Sequence, residues 1–159
     1  MGKVLSSFTN GWAGTIARAK DDVVIALPNK SGNPMAFGIA VAMSEDKTGV
    51  VPFNGETHTG ADFVGVTVRA PVKSPDTYGS AEGKYEANDM VDILVRGHIV
   101  AKVITGTTVL GGAVSIRKSD NAFAIGTGDT FVALPNVRVS AVADGLKNTE
   151  LLLTERNIL

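Results

Sequence analysis

Glu56, His58 and Asp62 are the group in this chain whose types and spacing most resemble a metal-binding set. They offer one imidazole and two carboxylates within a single loop, Asn54–Asp62. A catalytic zinc takes three protein ligands, usually with more histidine than this. The other histidine, His98, sits in a separate segment. These residues are therefore expected to solvate a turn, and a metal site is not expected. Carboxylate pairs occur at Asp21-Asp22 and Glu45-Asp46, beside predicted turns. Glycosidase chemistry needs two carboxylates across one cleft, and nothing nominates such a pair. Gly126-Thr-Gly128 is only a fragment of a dinucleotide-binding loop, with no helix pattern after it. No serine elbow and no calcium loop occur. Cysteine is absent, which removes thiolate ligands, disulfides and a cysteine nucleophile together. The expectation is a protein with no catalytic residues, no metal and no cofactor.

Composition narrows the partners. The chain has 159 residues, with 15 Lys plus Arg against 16 Asp plus Glu. That balance provides no basic field for phosphate neutralisation, so nucleic acid is not an expected partner. No run approaches the ~18 apolar residues of a membrane-spanning helix, so a membrane is not expected either. Gly2 and Ser6 fit a myristoylation pattern, but a plain N-terminal arm accounts for the same residues. The low charge of 19% and apolar content of 44% lean towards a surface partly hidden against a partner.

The elements that must position any site are strands. Runs rich in Val, Ile, Thr and Phe lie between frequent glycines. They predict strands near Val23–Leu27, Phe37–Met43, Val50–Phe53, Phe63–Arg69, Met90–Arg96, Ile99–Ile104, Ala113–Lys118, Phe123–Ile125, Phe131–Leu134, Val137–Val142 and Leu151–Thr154. Turn signals about every 8–12 residues indicate a sandwich or barrel. A helical turn is conceivable only within Trp12–Lys20. The fold expected is all-β: a single compact β-barrel or β-sandwich of about 9–11 short strands with an extended N-terminal arm. Residues 1–14 form the arm and 15–159 one β-rich domain. The octets Asp22–Asn29 and Asp129–Asn136 echo each other and read as two similar strand-to-turn endings.

The stretch Tyr85–Val103 reads as a β-hairpin turning at Arg96-Gly97-His98. A three-residue loop sets Val95 against Ile99, Ile93 against Ala101 and Val91 against Val103, an all-apolar row expected to share one buried face. Asp92 then faces Lys102 on the other side. Arg96 and His98 are turn residues first, with contact to a partner left open. Trp12, in the glycine-flanked Asn10–Gly14, anchors the arm either to its own core or to a neighbouring subunit. The long segment Ala70–Asn88 carries Pro71, Pro75, Gly79 and Gly83, and is either an inter-chain contact or a surface excursion. The candidate interaction residues are Met1, Phe8, Trp12, Tyr78, Tyr85, Arg96 and His98.

Several short motifs, in order, resemble the structural cement or capsid decoration proteins of tailed bacteriophages. Gly11-Trp-Ala-Gly14 is similar to the family's glycine-aromatic-x-glycine segment. Met35–Val41 and Ala61–Val68 are similar to its Phe-Gly-x-Ala-Val and Phe-x-Gly-Val strands. Tyr85–Val91 and Val95–Val100 resemble its Tyr-x-x-Gly-Asp-x-Val and Gly-x-Val pieces, and Gly112–Ile116 the strand that follows. Asn88 stands where the family has glycine, and Ala113 where it often has proline. The resemblance covers Gly11 to Lys118 and leaves residues 120–159 unassigned. It implies a non-enzymatic, often trimeric protein that binds the major capsid protein on the outer surface of the virion capsid, at local threefold positions, and reinforces it. Another phage structural part, such as a head-completion or tail component, is the first alternative. A small ligand-binding barrel is the second.

Overall fold

The computed structural model describes residues 10–69 and 83–154. Eleven strands run through them, with no helix among the described residues: β1 (Ile16–Pro28), β2 (Met35–Ala36), β3 (Ala40–Met43), β4 (Val50–Pro52), β5 (Phe63–Thr67), β6 (Lys84–Tyr85), β7 (Met90–Thr105), β8 (Ala113–Arg117), β9 (Ala122–Ala124), β10 (Phe131–Ala141) and β11 (Asn148–Leu153). The expected all-β class holds. The conceivable helical turn does not, because β1 already begins at Ile16. Its β-branched and apolar residues pair with β7 instead of closing a helical turn.

β7 organises the molecule. Its C-terminal half pairs with β11 antiparallel and with β9 parallel. β9 continues to β8, β8 to β10 and β10 to β11, so five strands close into a barrel. Its N-terminal half pairs with β1 on one side and β5 on the other, and β5 leads to β3 and β4. β2 and β6 form a separate two-stranded ribbon.

The expected hairpin at Arg96-Gly97-His98 is not there: residues 90–105 are one continuous 16-residue strand. An odd-numbered loop and an unbroken strand assign the same parity to Val91, Ile93, Val95, Ile99, Ala101 and Val103, so the apolar alternation fits both. All six are buried, yet they do not share one face. Val91, Ile93 and Val95 pack in a core with Met35, Phe37, Val41, Val50, Val64 and Tyr85. Ile99, Ala101 and Val103 fill the barrel core with Ile116, Phe123, Leu134 and Leu151. Leu94, of opposite parity, also belongs to the barrel core. The strand thus changes phase at Gly97, whose φ of 121° suits glycine. A Cβ there would lie 1.9 Å from Asp22 Oδ1. The pairing with β1 slips at the same place, where Arg18 meets His98 and Val23 meets Arg96.

The echoed octets also diverge. Pro28 ends β1, and Asn29, fully buried, accepts the Ser31 N–H at 3.0 Å. Pro135 instead lies inside β10, at the shift between Leu134 and Arg138 where a missing N–H costs no ladder bond. The two strands expected around it are therefore one.

Candidate functional site

The residues that looked chemical build turns. His58 Nδ1 accepts the Asn54 N–H at 2.9 Å, and the ring tilts against Phe53. The Asp62 carboxylate accepts the Thr59 N–H and hydroxyl, bonds that hold it below its usual range. Among the described residues no group of three or more histidines and carboxylates could hold a metal. Asp46 does the same in the Ser44–Gly49 turn, where hydroxyl and backbone donors from Ser44 and Thr48 bring it to about 2.

The predicted contact residues scatter. Met1, Phe8 and Tyr78, and most of the segment 70–88, lie outside the described residues. Tyr85 is a core residue, 1% exposed, set edge-on against Phe37 at 5.2 Å. Its hydroxyl donates to Val68 O at 2.6 Å and accepts the Asp92 N–H, and burial pushes its phenol up to about 12. That leaves it no free surface for a partner. Arg96 and His98 lie in mid-strand and not at a tip, because β7 runs straight through them. Arg96 is exposed, and His98 is half-buried with Nδ1 lacking a hydrogen bond. Both line a shallow recess of about 360 Å3 with Asp21, Leu152 and Thr154. Trp12 is 53% exposed and does not lie inside the core. The Arg69 guanidinium lies 5.6 Å from its ring centroid and 5.5 Å from that of Phe37, a cation–π bridge from the arm to the second core.

A surface that sequence reasoning missed lies at one end of the barrel. The turns after β7 and after β10 carry Val109, Leu110, Val142 and Leu146, exposed by 56%, 73%, 49% and 64%. The Ala143 N–H donates to Thr108 Oγ1 and the Gly111 N–H to Val139 O, which ties the two turns together. Turns are ordinarily polar, and four exposed large apolar side chains in two adjoining turns depart from that. The signal was present in Val109-Leu110-Gly111-Gly112, where two apolar residues precede a glycine turn. Asn10 docks at the same end. Its N–H donates to Asp144 Oδ2, and its Nδ2 to the carbonyls of Val142 and Asn148. Burial raises the Asp144 carboxyl, but the N–H groups of Asn10, Leu146 and Asn148 outweigh it and hold it below the usual carboxylate range. Asn10 is thereby fixed beside the apolar tip.

The sequence profile of the family described as "Structural cement protein (E217 gp24/Pam3 gp6)" matches residues 3–154. A chain in the structure of the capsid of Myoviridae phage XM1 superposes with a TM-score of 0.71 at 13% identity, over 94% of this chain and 93% of that one. The head fibre gp8.5 N base of bacteriophage phi29 gives a TM-score of 0.49 at 9% identity, over 83% and 95%, too distant a likeness to argue from. No curated protein sequence matches the chain.

Proposed function

Since the chain belongs to the structural cement protein family of phages, a structural and not an enzymatic one, we propose that it binds the outside of the assembled capsid as a trimer at local threefold positions and stabilises the shell. The family match over residues 3–154 carries this reading. The apolar tip supports it, because four large apolar side chains in adjoining turns call for a covering partner. Binding that favours assembled shell over free subunits stabilises the shell by mass action, and symmetry multiplies each modest contact. The shell's major capsid protein is the proposed partner, and copies of this chain meet one another around the threefold. Within that arrangement Met1–Gly14 is an arm and 15–159 one domain. The arm, together with Tyr78, Trp12 and the 70–88 segment, contributes the inter-chain contacts.

The test is electron microscopy of shells lacking this protein after mixing with it, beside light scattering of the free chain. Decoration at threefold positions and a trimer mass are expected. Leu110→Asp with Leu146→Asp should leave the free protein folded and strip it from shells. Bare shells with the unaltered chain would overturn the reading, and rings or tubes formed without shells would point to a head-completion part.

A further inference from the structure

β1 pairs with β7 on one side only. Strand alternation fixes which of its backbone groups face outward. The Val68 N–H donates to Asp92 O at 2.7 Å, and Val66 pairs with Leu94. Asp92 and Leu94 therefore turn their backbone groups towards β5, and Val91 and Ile93 turn theirs towards Leu27 and Ile25 of β1. Val24 and Ala26 are left with N–H and C=O directed away from the sheet. Among the described residues no hydrogen bond takes them. The run Val23–Leu27 carries no charge, and Val23 and Val24 are 40% and 42% exposed. Sheet edges are ordinarily guarded by charge, proline or a bulge. Here the guards stand only at the ends, with Asp21, at a φ of 68°, and Asp22 before the run and Pro28 after it.

We infer that this edge accepts an extended strand of the shell protein, uncharged along its middle and carrying a lysine or arginine where it passes Asp21 and Asp22. The inference rests on the capsid-binding reading above. Main-chain bonds to Val24 and Ala26 supply affinity, and the acidic end supplies direction. Asp21 is exposed and Asp92 lies across from Ala26, so a cation is the complement. A second copy does not provide it. Pairing Val24 with Ala26 about a twofold axis sets Asp22 opposite Pro28, which brings no positive charge.

Ala26→Pro tests this directly. It deletes an outward N–H, spares the bonds of Ile25 and Leu27 to β7, and holds Ile25 in the extended region it already occupies. The expected result is unchanged circular dichroism and unchanged mass of the free protein, with co-sedimentation on shells lacking the protein weakened at least about tenfold. Asp21→Asn should weaken it less. Undiminished binding of Ala26→Pro overturns the proposal, as does a smaller free mass, which would make the edge a self-contact. Should the proline variant not fold, amide exchange of the unaltered protein decides. Protection of Val24 and Ala26 on shells supports the strand, and its absence overturns it. If the unaltered chain fails to bind shells, the capsid-binding reading falls, and this inference falls with it.

Discussion

The two halves of β7 lie in contrasting surroundings. Residues 99–103 sit in a closed barrel, where β11, β10, β8 and β9 each have a neighbour on both sides. Residues 91–95 sit in an open sheet that ends at β1 and β4. Closure satisfies every strand edge, so the barrel offers a partner no backbone edge, and the apolar tip lies in its turns. Among the described residues the open half keeps an unpaired edge, which can offer backbone as well as side chains. The two proposed contact surfaces are thus of different kinds, and Gly97 is the joint between them.

Four substitutions should break or sharpen this contrast. The largest effect is expected at the joint. Gly97→Val puts a side chain at a φ of 121° and against Asp22 Oδ1, so both halves lose their register. A loss of about 4 kcal/mol or more, or failure to fold, should appear in denaturant unfolding followed by circular dichroism. A loss under about 1 kcal/mol would remove Gly97 from that role. Next, Leu151→Ala in the barrel should cost about 3 kcal/mol, and Val91→Ala in the open half less. Amide exchange separates them. The barrel change should expose the whole molecule, and the other mainly β1 and β3–β5. Equal exposure patterns would mean that the halves unfold as one unit.

The smallest effect concerns Asp144, which ties Asn10 to the barrel end. Its folded carboxyl titrates below the ordinary 3.8, so its contribution is full above that value and fades as pH falls through the folded one. Asp144→Asn should lower stability by under about 1 kcal/mol at neutral pH. The difference between the two proteins should then shrink in thermal melts as the pH drops below 3.8. A constant difference down to acid would assign the effect to packing.

The strand positions were legible because β-branched runs between glycines have few alternatives. The path of the strands was less so. Val91 to Val103 alternate identically in a hairpin and in a straight strand, and only the positive φ at Gly97, a backbone property, tells them apart. The same ambiguity hid the split of one predicted face into two cores. Among the contact residues, Trp12 reads from the sequence as an anchor either to its own core or to a neighbouring subunit, because its partner Arg69 lies far along the chain. Tyr85 was misread because an aromatic beside a loop looks like an anchor until the carbonyl that takes its hydroxyl is known. The apolar tip depends on turns from distant segments meeting, and the β1 edge depends on the absence of a neighbour. Neither is a property of a local run of residues.

The closure of the barrel also dictates an order of events during synthesis. β7 recruits β1 from the N-terminal side, but its other partner, β11, comes from residues 148–153. The open half can assemble while the chain is still growing. The barrel waits until those six residues clear the ribosome, and until then Ile99, Ala101 and Val103 have no cover from β11. Non-local pairings of this kind are slow to form, so this interval is when the chain's apolar surface stays open longest.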